Sequence, residues 1–107
     1  MSVFKKSMSG IAFDFETVTV ADSAKALTVA TFARTEIEGE TIAVITAEGG
    51  MMRYRYDGTD PTTTVGHLLS HGDTIRIEGE ENITNFRAIR LGTQSGSLSA
   101  TYERVYG

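Results

Sequence analysis

The chain has 107 residues, a length that suits a single domain. Ten Lys and Arg against fourteen Asp and Glu give a net charge of −4, which argues against nucleic acid as a partner, because phosphate neutralisation dominates that affinity. The chain has no cysteine, so disulfides, thiolate metal sites, iron–sulfur clusters and cysteine nucleophiles are excluded.

The first ten residues are expected to form an extended arm, and residues 11–107 one folded domain. The opening carries Lys5 and Lys6 without a long apolar run after them, so we do not interpret it as a secretory signal. The longest apolar run, 42–45, is far shorter than the roughly 20 residues that cross a bilayer. We therefore expect synthesis in a cytoplasm and no membrane contact.

The residue types favour strands. The chain has 15 Thr, 8 Ile and 7 Val against only 5 Leu, and β-branched residues suit a pleated, half-buried surface. Eleven glycines interrupt it at short intervals. We predict an all-β fold, a single jelly-roll-like β-sandwich of about seven or eight strands, with a partly closed barrel as the alternative.

In the first half of the chain, apolar residues alternate over 11–15 and again from Val18, and the slip between them predicts a β-bulge or a strand end. Residues 22–27 are expected to form one helical turn. A hairpin is predicted over 35–42, followed by a buried strand over 43–47 that ends at two glycines.

In the second half, period-2 alternation predicts strands over 52–56 and 74–78. Residues 62–70 are equally consistent with a loop or a short helix. The turn between two glycines predicts that 87–91 and 97–104 pair as a hairpin.

Few residues carry catalytic or metal chemistry. His67 and His71 would share one face of a helix and hold zinc, but a third ligand is missing, and loop-borne polar residues are the simpler interpretation. The segment 57–61 superficially resembles a calcium loop without its distal glutamate, so we expect structural turns.

Ser70, His71 and Asp73 are the residue types of a hydrolytic triad, but the members of a triad are rarely neighbours in sequence. The carboxylates of Glu80 and Glu81 are expected at a solvated turn. We therefore predict no enzyme, no catalytic residue, no metal and no cofactor.

Arginines and tyrosines have two interpretations each. Arg53 and Arg55 flank Tyr54 and belong either to a solvated face with cross-strand carboxylates or to a partner contact. The tyrosines could form a sugar-binding face, but the alternation places Tyr54, Tyr56 and Tyr102 in the core and leaves only Tyr106 exposed.

Residues 52–102 resemble small all-β structural proteins encoded among the virion genes of tailed bacteriophages. The residues that carry this resemblance, in chain order, are Arg53, Asp57-Gly58-Thr59, Pro61-Thr62, Gly66-His67 and Phe86-Arg87-Ala88-Ile89. The resemblance implies a non-enzymatic virion protein, made in the host cytoplasm, that decorates or cements the capsid. A neck or a tail component is the alternative within this class.

The implied partners are the major capsid protein or other virion proteins, together with further copies of the chain. The expected contact residues are Val3, Phe4, Lys5, Lys6, Arg53, Arg55 and Tyr106. The alternative from another class is a carbohydrate-binding module that uses Tyr54 or Tyr106.

For the packing, we expect Gly66 to allow a close chain return, Leu68 and Leu69 to close one end of the sandwich, and Phe86 and Ile89 to add a core layer.

Overall fold

A computed structural model describes residues 10–33 and 39–105. These residues form eight strands and two short helices. In chain order they are β1 (Ile11–Val20), β2 (Lys25–Ala26), α1 (Val29–Phe32), β3 (Glu40–Gly49), β4 (Met52–Arg55), β5 (His67–Leu69), β6 (Thr74–Glu78), α2 (Glu80–Asn85), β7 (Arg87–Arg90) and β8 (Gly96–Val105).

The described strands form two antiparallel four-stranded sheets, in the orders β1-β8-β3-β6 and β2-β7-β4-β5. The first strand pairs with the eighth, the second with the seventh, the third with the sixth and the fourth with the fifth. A long antiparallel ribbon rolled into two sheets has this connectivity, which defines a jelly roll. The predicted all-β sandwich is therefore confirmed.

The core lies between the two sheets and is built from the inward positions of the alternating strands. On β8 the inward row is Leu98, Ala100 and Tyr102, all fully buried. Their outward neighbours are polar, so the period of two in the sequence corresponds to the two faces of the sheet. The largest fully buried side chains are Tyr102, Phe32, Phe86, Ile45, Met52, Leu69, Ile83, Leu98 and Val20.

A β-bulge does occur in β1, but nearer the start of the strand than the sequence indicated. The register with β8 shifts between Ala12 and Asp14, whereas the sequence placed the slip just before Val18. The earlier bulge turns Phe15 outward and Glu16 inward, because one extra residue exchanges the two faces of a strand. The prediction that Phe15 shares a face with Phe13 is therefore wrong.

Two local predictions are also wrong. Lys25 and Ala26 form β2 instead of a helical turn, and the first helix begins later, at Val29. Segment 67–69 is strand β5, whereas the sequence left a loop or a short helix open for 62–70. Strands β7 and β8 exist but do not form a hairpin, because β7 pairs with β2 and β4 in one sheet and β8 lies in the other. The first half of the hairpin predicted over 35–42 lies outside the described residues.

Helix α2 was not predicted, and its two glutamates were assigned to a turn. It follows Gly79, whose φ of 95° places it in the left-handed region, and it has no side-chain cap. Its residues Glu80-Glu81-Asn82-Ile83-Thr84-Asn85 include several weak helix formers. Burial of Ile83 in the core holds the helix in place.

The loop between β4 and β5 is fixed by one arginine and one glycine. The Arg53 guanidinium donates to the carbonyls of Thr63 and Gly66 at 3.1 and 2.8 Å. Gly66 has a φ of 140°, and a Cβ there would lie 3.1 Å from the carbonyl oxygen of Tyr54. The predicted role of Gly66 in a close chain return is confirmed.

The prediction that Leu68 and Leu69 close one end of the sandwich, and that Phe86 and Ile89 add a core layer, is only partly confirmed. Leu69 and Phe86 are fully buried, and Ile89 is half-buried. Leu68 is 53% exposed, because it points away from the core on a three-residue strand.

Candidate functional site

The three residues with the side-chain types of a hydrolytic triad, Ser70, His71 and Asp73, lie together in one tight turn. The backbone N–H of Ser70 donates to the Asp73 carboxylate at 2.8 Å, and the Asp73 N–H donates back to the Ser70 carbonyl at 2.9 Å. The Nδ1 atom of His71 accepts the backbone N–H of Gly49 at 3.0 Å. The Asp73 carboxylate and His71 Nδ1 are thus both engaged by backbone N–H groups.

The two histidines lack the helical relationship that a zinc site at this spacing requires. His67 begins β5 and His71 lies in the turn after it. Within residues 10–33 and 39–105, no group of three or more His, Asp or Glu side chains is arranged to hold a metal ion.

Asp57 forms an ion pair. The Arg55 guanidinium donates to both carboxylate oxygens, at 3.0 and 2.5 Å. These hydrogen bonds lower the pKa of Asp57 to about 2, since a charged donor favours the ionised acid. The carboxylate also accepts the Thr59 N–H at 3.4 Å, so the segment is a braced turn.

A cleft of about 420 Å³ lies where β4 ends. One wall is the segment Arg55, Tyr56 and Asp57, and His67 from the start of β5 stands beside it. The opposite wall is formed by polar side chains of α2, which are Glu81, Asn82 and Asn85. The volume falls within the range of about 300–1,000 Å³ that is usual for small-molecule sites.

An aromatic row supports one wall of this cleft. Tyr56 is 41% exposed, and its ring stacks with Tyr54 at 6.4 Å between centroids and 16° between planes. Tyr54 stacks in turn on the buried Phe86 at 5.6 Å, and His67 packs against it at 5.2 Å. The Tyr56 ring therefore contacts the aromatic row and, being partly exposed, also lines the cleft.

The polar groups of the cleft have spare hydrogen-bonding capacity. Asn82 donates its amide N–H to the Glu78 carbonyl at 2.9 Å and keeps its own carbonyl oxygen available. Among the described residues, the side chains of Asn85, Glu81 and His67 have no hydrogen-bond partner. The cleft can therefore both donate to and accept from a ligand.

A second surface is the free edge of β1, which we call the β1 edge. Strand β1 pairs with β8 on one side, and no other described strand pairs with it. The strand exposes 66% of Ile11 and 57% of Phe15. A long edge strand with exposed apolar side chains is a ready surface for pairing with another chain.

The other three sheet edges are protected against such pairing. Strands β2 and β5 have only two and three residues. Strand β6 carries an exposed ion pair between Arg76 and Glu78 at 3.0 Å. Short length and charge are the usual means of blocking an edge. Among the described strands, β1 is therefore the long edge that exposes large apolar side chains.

The predicted partner-contact residues fall in different places. Arg53 and Arg55 both lie on β4, where Arg53 is bonded to loop carbonyls and Arg55 to Asp57. The remaining predicted contacts lie outside the described residues, and they are Val3, Phe4, Lys5, Lys6 and Tyr106. Their role in binding a partner stays a prediction.

The sequence did not show where either surface lies. Tyr56 was assigned to the core because it continues the alternation of Met52 and Tyr54, but β4 ends at Arg55 and the ring emerges at the surface. Asn82 and Asn85 belong to the helix that was not predicted. The acidic pair Glu80-Glu81, which suits a helix N-terminus, was the available signal.

Comparison with known proteins returns no match: neither a family model, nor a curated protein, nor a solved structure is significantly similar to this chain. No helix in the described part of the chain is long and apolar enough to cross a membrane.

Proposed function

We propose that this protein is a non-enzymatic structural component of a tailed-phage virion, and specifically a capsid decoration or cement protein that stabilises the head. The observation that supports this proposal best is the β1 edge. Among the described strands, it is the one sheet edge that is long and exposes two large apolar side chains, Ile11 and Phe15. A strand of this kind is suited to binding another protein rather than to chemistry.

Attachment uses the backbone and two side chains of β1. The outer edge of the strand lies against an exposed edge in the major capsid protein, while Phe15 and Ile11 enter apolar recesses beside it. The predicted arm residues Val3 to Lys6 precede β1 in the chain, with residues 7–10 between them. Their apolar and basic side chains suit an acidic neighbour.

Many weak contacts give a firm hold on a symmetric shell. Each copy buries a modest area, and copies that also contact one another share the attachment. The outer face of the sheet that contains β1 carries short Ser and Thr side chains together with charged ones such as Glu48 and Arg76, and such lateral contacts can form on it. Thr17 lies beside Ser99 on that face, and Thr46 beside Thr74.

The copy number per particle tests the decoration role. Quantitative mass spectrometry of purified virions should find hundreds of copies, as expected for a protein on every capsomer, whereas a neck ring would give about a dozen. A count near a dozen would move the assignment to the neck, and absence from the particle would reject a virion role.

The attachment surface is tested with a matched pair of variants. Phe15→Lys places a charge on the β1 edge and should abolish binding to undecorated capsids. Val65→Lys changes a side chain of similar exposure, 51%, in a loop of the other sheet, and should bind normally. Deletion of residues 1–9 should weaken binding while leaving the fold intact. Equal binding by Phe15→Lys and the unmodified chain would reject the β1 edge as the contact.

A further inference from the structure

The cleft at the end of β4 is not needed for the attachment just described. It is built from β4, β5 and α2, and β5 and β6 occupy the sheet edges opposite those of β2 and β1. The cleft therefore faces away from the β1 edge and stays open in a chain that is attached by that edge.

The charges of the cleft select against ionic ligands. Arg55 is neutralised by Asp57 through two hydrogen bonds, and Glu81 leaves one negative charge over. An anion would meet Glu81 without a free cation to bind it. A metal ion would need the Asp57 carboxylate, which is already held by Arg55, and the described residues provide no three-ligand group.

The remaining groups suit a neutral molecule with many hydroxyls. The partly exposed Tyr56 ring lines the cleft. An aromatic ring of this kind can stack on the C–H face of a sugar ring, because those C–H groups carry partial positive charge and the aromatic face is negative. The amides of Asn82 and Asn85 and the imidazole of His67 can exchange hydrogen bonds with ring hydroxyls, each of which both donates and accepts.

The site is also preorganised. Tyr56 is stacked on Tyr54, which is stacked on the buried Phe86, so the ring is already oriented before a ligand arrives. The two hydrogen bonds to Asp57 hold the side chain of Arg55 at the rim. These two side chains need little further ordering when a ligand binds, and this favours affinity.

From these observations we propose that the cleft lined by Tyr56, His67, Asn82 and Asn85 is a binding site for a neutral saccharide of one or two rings. The inference does not depend on the virion role, since it rests on the cleft alone. In a particle it would give each copy a weak affinity for glycans at a cell surface.

The proposal is tested on a glycan array of neutral bacterial and plant oligosaccharides. The strongest array ligand is then titrated as the free oligosaccharide into the full-length chain. Tyr56→Ala should weaken binding by about tenfold, and Asn85→Ala by several fold. Tyr56→Phe keeps the stacking ring and should retain most of the affinity. Phe15→Ala, which removes an exposed aromatic ring far from the cleft, is the matched control and should bind normally.

Three results would overturn the proposal. The first is a folded chain that binds no array glycan at millimolar concentration. The second is binding that Tyr56→Ala and Asn85→Ala leave unchanged. The third is a preference in the same titration for inorganic phosphate or tetramethylammonium over every neutral sugar, which would assign the cleft to an ionic ligand.

Discussion

Replacing Tyr102 by Phe should destabilise the fold through the loss of one hydroxyl. The Tyr102 ring is fully buried and packs on Phe32 at 5.4 Å between centroids. Its hydroxyl donates to a Glu16 carboxylate oxygen at 2.5 Å, and the same oxygen accepts the backbone N–H of Thr28 at 2.9 Å. This carboxylate thus joins β8, β1 and the segment entering α1.

The expected cost follows from what the substitution leaves behind. Phenylalanine keeps the ring packing, and Glu16 keeps the Thr28 N–H, so no buried group is left without a partner. The lost interaction is a hydrogen bond to a charged acceptor, worth about 1.5–3 kcal/mol. For a domain near 100 residues this lowers Tm by about 6–12 °C, at about 4 °C for each kcal/mol.

Urea unfolding followed by far-ultraviolet circular dichroism measures this effect, since the chain has no tryptophan for fluorescence. Tyr56→Phe is the control: it removes an exposed hydroxyl and should change the free energy of unfolding by less than about 0.5 kcal/mol. A double-mutant cycle with Glu16→Gln should show that the two losses are not additive. If Tyr102→Phe and Tyr56→Phe cost the same, the buried bond to Glu16 is not a stabilising link.

Three further predictions concern stability and charge. Gly50→Ala should lower the free energy of unfolding by about 3 kcal/mol, because the added Cβ would lie 2.1 Å from a backbone carbonyl oxygen. In the same urea assay, Gly92→Ala should be neutral or slightly stabilising, because its added Cβ meets nothing within 4 Å. Burial and the hydrogen bond to a carboxylate raise the pKa of Tyr102. The contribution of its hydroxyl to the free energy of unfolding is therefore complete below pH about 10 and declines above it by up to about 1.4 kcal/mol per pH unit. In alkaline solution the free energy of unfolding of Tyr102→Phe should fall less steeply with pH than that of the unmodified chain. Arg55 lowers the pKa of Asp57 from 3.8 to about 2. Carboxyl NMR should therefore find Asp57 still ionised at pH 3.8 and protonated only as the pH approaches about 2, and Arg55→Gln should return the pKa toward 3.8.

The strands were predictable because apolar and polar residues alternate along a strand that has one face in the core and one in solvent. The alternation around Ile75 and Ile77 gave β6, and that around Leu98 and Tyr102 gave β8. Local patterns of this kind depend only on which side chains meet the core. The same alternating pattern therefore predicts a strand whatever its position in the sheets.

Strand pairing was not predictable in the same way. The turn between β7 and β8 has the glycines of a hairpin loop, and nothing in 91–95 distinguishes a hairpin from a crossing between sheets. The partners of β7 are β2 and β4, which lie far away in sequence. The position of the bulge in β1 is equally a property of the pairing with β8, and so the exposure of Phe15 was not predictable either.

The cleft was hidden for a related reason. Its walls come from three segments, and the polar wall belongs to a helix whose residues have low helix propensity. Such a helix forms because Ile83 is buried, which is a tertiary effect. Asn82 and Asn85 look like ordinary loop residues until the fold places them opposite Tyr56.

The two surfaces can be separated by experiment because they lie at opposite edges of the sandwich. Phe15→Lys should lose capsid binding and retain saccharide binding, whereas Tyr56→Ala should do the reverse. A chain that uses one edge for attachment and the other for a ligand must show this independence, since no side chain belongs to both. If each variant loses both activities, the surfaces are coupled through the core, and the division of roles between the β1 edge and the cleft is wrong.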